Sequence, residues 1–109
     1  MTDKVVVLVT CAKASEANRI ARALVEARLA ACVNILQARV SSIYRWKGKV
    51  EPAAEYLLVI KSARKSVAAL RAVVERLHSY SVPEVIALPI VQGSPRYLRW
   101  LAQSLKPSS

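Results

Sequence analysis

The chain switches between two hydrophobic rhythms. Lys4–Cys11 (Lys-Val-Val-Val-Leu-Val-Thr-Cys) is β-branched and almost wholly apolar, which reads as a strand covered on both faces. Lys13-Ala14-Ser15-Glu16 ends that run, with Ser15 placed as a helix N-cap and Glu16 where an acid suits the helix dipole. From Ala17 the period becomes helical. Ala17, Ile20, Ala21, Leu24 and Val25 form a stripe, Arg19, Arg22 and Glu26 face away, and the helix fades around Ala30. Residues 33–47 read as one long strand, bent near Gln37, whose second half alternates Ile43 and Arg45 with Tyr44 and Trp46. Lys47-Gly48-Lys49 is the turn, because Gly48 takes positive φ at no steric cost. Pro52 suits no central strand, so the return strand is expected to pair from about Ala54, through Glu55–Lys61. Ser62 is the expected cap of a second helix striped by Val67, Leu70, Val74 and Leu77. After the loop His78–Pro83, Glu84–Val91 reads as an edge or bulged strand because Pro89 lies in it. Ser94 and Pro95 then open a short helix with Tyr97, Leu98, Trp100 and Leu101 on its apolar side, and Lys106–Ser109 is a polar tail.

The order is β-α-β-β-α-β with a terminal helix, and the stripe Ala17, Ile20, Leu24, Ala27 is echoed by Val67, Leu70, Val74, Leu77. Two βαβ halves joined by a hairpin make an α+β fold of the ferredoxin-like kind, a βαββαβ sandwich with a short C-terminal helix. Right-handed crossovers put both main helices on one face of an antiparallel sheet. The other face is left bare, although its residues are aliphatic. A large bare aliphatic sheet is not stable in water on a monomer, so homo-oligomerisation is expected to cover it. The hairpin carrying Tyr44 and Trp46 offers an edge to a neighbouring subunit, and Trp46 and Trp100 read as interface anchors.

Composition narrows the class. At 109 residues the chain is read as a single domain, 1–109, and 54% hydrophobic against 22% charged excludes disorder. With no Phe and few other aromatics, the core must be aliphatic. Lys and Arg number 17 against 7 Asp and Glu, giving +10 at pH 7. That charge admits weak, salt-sensitive RNA binding, but the basic residues are dispersed and no basic-Gly-aromatic motif is present. Two cysteines make no disulfide scaffold and suit a reducing compartment. No apolar stretch approaches the roughly 18 residues of a membrane span, and Val5–Val9 is too short for a signal core. The expected address is cytoplasmic, with no membrane partner.

Few residues carry chemistry. Cys11 and His78 are the candidate metal ligands; no Cys-x-x-Cys or His-x-x-x-His spacing builds a site locally, so these residues or a carboxylate must be brought together by folding or across subunits. Thiolate with imidazole favours copper. The same two residues could form a nucleophilic pair only if the fold closed them to about 3 Å, and a non-catalytic protein is expected. Only two glycines occur, so there is no phosphate-cradling loop. Tyr80, Pro83 and Glu84 follow the second helix, and Lys61 ends a strand; Lys61 and Glu84 are a candidate pair in a cleft.

Four segments, in order, resemble the CutA family of divalent-cation tolerance proteins. They are Leu29-Ala30-Ala31-Cys32-Val33-Asn34-Ile35, Ser42-Ile43-Tyr44-Arg45-Trp46-Lys47-Gly48-Lys49, His78-Ser79-Tyr80-Ser81-Val82-Pro83-Glu84 and Tyr97-Leu98-Arg99-Trp100-Leu101. The resemblance implies a ferredoxin-like subunit in a homotrimer, similar in architecture to PII-type signalling trimers. It implies a response to copper or another divalent cation, with no cofactor required for folding. It also implies a lateral cleft between subunits, for which Lys61, Tyr80, Glu84, Trp46 and Trp100 are candidates. In a PII-like alternative that cleft between subunits takes a small anion, with Lys61 and nearby arginines as donors; a basic RNA-associated domain is the third reading. His78 and Tyr80 fall on the family's His-Pro-Tyr motif with Ser79 for Pro, and Cys11 on its Thr-Cys-Pro segment with Ala12 for Pro. Val9 and Leu77 stand where some members carry further Cys or His.

Overall fold

The computed structural model describes residues 2–107. Five strands and three helices follow in the order β1 (Lys4–Cys11), α1 (Ala14–Glu26), β2 (Cys32–Ile35), β3 (Val40–Trp46), β4 (Lys49–Ala63), α2 (Val67–Leu77), β5 (Ile86–Pro89) and α3 (Pro95–Ser104). The sheet order is β2-β4-β1-β5, all antiparallel, with β3 paired to the first half of β4. This is the expected α+β, ferredoxin-like arrangement. The β3–β4 hairpin projects from the body, and the molecule measures 44 × 25 × 25 Å.

Burial alternates strictly along β1: Val5, Val7, Val9 and Cys11 are buried and the residues between are half-buried. Alternate side chains point to opposite faces, so the two faces have different fates. The buried face packs with Leu58 and Ile60 of β4 against Ile20 and Leu24 of α1 and Leu70 and Val74 of α2. The opposite face holds Val6 and Leu8 beside Leu57, Val59, Ile86 and Leu88 in cross-strand register. Within one chain β1 is therefore covered on one face, where the sequence pattern implied two. The second face is the bare aliphatic surface inferred above.

Several local expectations change. Residues 33–47 are two strands, β2 and β3, broken at 36–39, close to the bend expected at Gln37. Lys47 (φ 50°) and Gly48 (φ 80°) both lie in the left-handed region, as a two-residue primed turn requires. Pro52 does not delay β4: it pairs with Ile43 in a stretch where β3 is the only neighbour, so its missing N–H belongs to the open edge. Ser62 caps nothing. It lies fully buried in β4 and donates its hydroxyl to Leu29 O at 2.6 Å, and a single 3₁₀ turn, Arg64–Ser66, leads into α2. Ser15 sits one residue inside α1, whose N-cap is Lys13 with no side-chain bond. Ser94 does precede Pro95 at the start of α3, also without a side-chain bond, and Pro89 does lie on an edge strand. Of the polar tail, Ser108 and Ser109 lie outside the described residues.

Helix α1 ends at Glu26, earlier than its pattern suggests, in a Schellman closure. The Leu29 N–H reaches Leu24 O, the Arg28 N–H reaches Val25 O, and Arg28 holds φ 59° without being glycine. Its guanidinium bonds Gln103 O and Ser104 O, and so caps α3 while paying for its own strain. That contact seats Leu101 and Leu105 on Ala31 and Ala63, a small second core at the end of β4.

Candidate functional site

Two side-chain groups meet where β1 ends and the loop 78–84 returns from α2. The first is buried on the helix side. Cys11, last of the buried face of β1, has its Sγ 3.7 Å from His78 Nε2. Glu16, in the first turn of α1, has Oε2 3.6 Å from His78 Nδ1. Ligand atoms of Cys11, Glu16 and His78 all lie within 4.8 Å of one another. The fold thus unites the two sequence-predicted ligands and adds a carboxylate that had been given only a dipole role.

The hydrogen bonds fix the protonation of the ring. Nε2 is 2.8 Å from Thr10 O, and a carbonyl only accepts, so Nε2 carries the proton. Nδ1 accepts the Tyr80 N–H at 3.1 Å. Glu16 accepts the Ser79 N–H at 3.0 Å on Oε1 and the Ser79 hydroxyl at 3.2 Å on Oε2. Burial, with help from the charges of Glu16 and Glu55, pushes the Cys11 thiol up to about 12. A thiol held protonated in an apolar wall is no nucleophile near neutral pH, although the fold brings it close to His78.

The donor set nonetheless has the dimensions of a metal site. A tetrahedral ion with sulfur at about 2.3 Å and nitrogen at about 2.0 Å separates those donors by about 3.5 Å. The observed Sγ–Nε2 separation is 3.7 Å. Freeing the Nε2 lone pair requires its proton to move to Nδ1, which then gives up the bond from the Tyr80 N–H and turns to Glu16 Oε2, 3.6 Å away, as the carboxylate that orients a ligating imidazole. Cys11 and His78 would be the ligands and Glu16 their support.

The second group lines an open cleft of about 330 Å³ walled by Thr10, Tyr44, Trp46, Glu55, Tyr80, Ser81, Val82 and Glu84. Tyr80 spans the two groups: its N–H holds His78 and its hydroxyl donates to Glu55 Oε2 at 2.8 Å. Burial and the bond to Glu55 raise the Tyr80 hydroxyl well above the ordinary tyrosine range, so it remains a donor. Trp46 and Tyr44 arrive from β3, whose alternation puts both on the face shared with Glu55.

Of the expected cleft residues, Tyr80, Glu84 and Trp46 come together within one chain; Lys61 and Trp100 do not. Lys61 shares a face of β4 with Glu55 but lies six residues further on, roughly 20 Å along a strand. It bonds Asn34 Oδ1, so the expected Lys61–Glu84 pair is not formed. Trp100 lies on α3 with its ring 5.4 Å from Tyr97. Within one chain, Lys61 therefore does not line this cleft. Tyr56, the aromatic that might have stacked a base, packs on the helix-facing side beneath Arg39, 5.4 Å from its ring centroid. Glu55, Thr10 and Tyr44 were not singled out by sequence reasoning; an isolated acid in the aliphatic run Tyr-Leu-Leu-Val-Ile was the available signal.

Comparison with known proteins places this geometry. The family description "CutA1 divalent ion tolerance protein" matches residues 5–104. "Protein CutA" of Mus musculus is 52% identical over 95 residues, 87% of this chain and 53% of the mouse protein, so the chain spans about half the length of that relative. "Divalent-cation tolerance protein CutA" of Thermus thermophilus is 48% identical over 99 residues, 91% of this chain and 95% of that protein. The solved Thermus thermophilus structure superposes with a TM-score of 0.92 at 46% identity, covering 94% of this chain and 99% of the other. The Oryza sativa CutA1 structure gives 0.92 at 44% identity, covering 96% and 95%. No described helix is long and apolar enough to cross a membrane.

Proposed function

The chain belongs to the CutA1 divalent ion tolerance family, and from that premise we propose that it is a non-catalytic, homotrimeric cation-response protein. Its single domain, 1–109, takes up copper, or another divalent cation with a taste for sulfur and nitrogen, at Cys11 and His78, in the cytoplasm. The observation that carries this reading is the 3.7 Å approach of Cys11 Sγ to His78 Nε2, with Glu16 behind the ring. A thiolate and an imidazole together suit copper better than magnesium or calcium. Copper bound there would neutralise the thiolate charge, and the protein's part is to hold the imidazole in place and exclude water. Assembly is supported by the aliphatic face of Val6, Leu8, Leu57, Val59, Ile86 and Leu88, the last two 49% and 45% exposed in the isolated chain. A reducing address is supported by the free thiols of Cys11 and Cys32.

The test is a competitive titration of Cu(II), and of Cu(I) under reducing conditions, against a chelator of known affinity, with native mass recorded alongside. Sub-micromolar binding that weakens at least tenfold in both His78→Ala and Cys11→Ser supports the site. Binding no tighter than micromolar and unchanged in the two variants rejects it.

A further inference from the structure

The cleft beside that cluster is chemically unlike the rest of the chain. The protein has six aromatic residues (Trp 2, Tyr 4, Phe 0), and Tyr44, Trp46 and Tyr80 are three of them. It has only 7 acidic residues, and Glu55 and Glu84 line the same cleft. None of the 17 lysines and arginines does, among the described residues. On a chain of charge +10, a concavity whose charged walls are carboxylates alone is a local reversal of sign. Glu55 is its anchor. The side chain is only 7% exposed, and one oxygen accepts the Tyr80 hydroxyl. The other oxygen has no partner among the described residues. Among the described residues no buried side-chain polar atom is left unsatisfied, so that oxygen is open to the cleft.

We propose that this cleft is a binding site for a small protonated amine, held by aromatic faces and by the free oxygen of Glu55. Three aromatic side chains line the cleft, and the negative face of an aromatic ring attracts an organic cation. A carboxylate already oriented by Tyr80 accepts an ammonium N–H without losing its existing bond. The cleft's volume of about 330 Å³ suits an organic ligand rather than a bare ion. A third ligand atom that would make it a metal site is also lacking: the one close Cys/His/carboxylate group among the described residues is Cys11, Glu16 and His78. The proposal reverses the sign of the anionic ligand expected from sequence, and it stands independently of copper uptake.

The experiment is calorimetric titration of the full-length protein, in the assembly it forms, with 1,4-diaminobutane, and separately with inorganic phosphate. Trp46 fluorescence is followed in a Trp100→Phe background. The expected result is saturable diamine binding with a shift in Trp46 emission and no phosphate binding. Glu55→Gln, which keeps shape and an acceptor for Tyr80, should weaken the diamine at least tenfold. Trp46→Leu, an exposed hairpin position, should do the same and guards against a folding defect in the first variant. Cys11→Ser should leave diamine binding unchanged, so this proposal and the copper reading fail separately. Phosphate binding tighter than the diamine overturns the inference. So does diamine binding indifferent to both variants, or no saturable binding at millimolar diamine, the result if a second copy's hairpin fills the cleft.

Discussion

Removing the Glu16 carboxylate tests how the site is held. Glu16 is 8% exposed and accepts two bonds from Ser79, one from the backbone of a loop that has no strand ladder to support it. A hydrogen bond to a charged group contributes about 1.5–3 kcal/mol net. Two bonds between the same residues are not independent, so Glu16→Ala is expected to cost about 3 kcal/mol rather than the sum. Glu16→Gln keeps an oxygen for the Ser79 N–H, and its amide donates to the Ser79 hydroxyl oxygen; about 1 kcal/mol is expected. Urea unfolding at one fixed protein concentration reads both, because the proposed assembly would tie stability to mass action. With a slope of about 1–3 kcal/mol per molar, the alanine variant should lose roughly 1–3 M in midpoint. Hydrogen exchange at the Ser79 and Tyr80 amides should accelerate in Glu16→Ala while the amides of β1 stay protected. A Glu16→Ala protein within about 0.5 kcal/mol of wild type, with those amides unchanged, would refute the reasoning. Glu16 would then be a helix-start acid and nothing more.

Two further outcomes follow from burial. Cys11 is fully buried, and its thiol stands near 12 in the fold against an ordinary 9.0. The folded state keeps a proton that the unfolded state gives up. This stabilisation is therefore complete below about pH 9 and fades by about 1.4 kcal/mol per unit as pH rises towards 12. Urea midpoints of wild type and Cys11→Ala should accordingly run parallel below about pH 9 and converge from there to about pH 11, since every other alkaline titration is common to both; curves that stay parallel throughout would show that the thiol is not desolvated. Val59→Arg places a charge at the centre of the bare sheet face, and native mass spectrometry should find wild-type trimers and folded variant monomers. A monomeric wild type at micromolar concentration would remove the basis for assembly.

The elements legible in the sequence were those whose pattern is local. The bounds of β1, the α2 stripe and the turn at Gly48 stand as read, because periodicity and positive φ act over a few residues, whereas the cover on both faces of β1 is not found within the chain and Lys49 already belongs to β4. The capping assignments failed where a serine had a better partner elsewhere: Ser62 spends its hydroxyl on Leu29 O, across the fold. Pro52 misled because edge and centre are properties of the assembled sheet. The site was half legible. Cys11 and His78 are named by residue type alone, but they lie 67 residues apart, and Glu16 joins them only through the packing of α1. Within one chain, Lys61 was separable from Glu55 by strand arithmetic, since six residues of β4 put the two roughly 20 Å apart.

Joint ligation of the cation by Cys11 and His78 has a signature in proton release. It is tested most directly by counting protons released when copper binds near pH 7, from calorimetric titrations in buffers of different ionisation enthalpy. Cys11 is protonated there, and a neutral His78 only passes its proton from Nε2 to Nδ1. About one proton should be released per ion in the wild type, and none for any residual binding in Cys11→Ser. A wild type that binds copper without releasing a proton, or a Cys11→Ser variant that releases the same number, would place the ion elsewhere and contradict it.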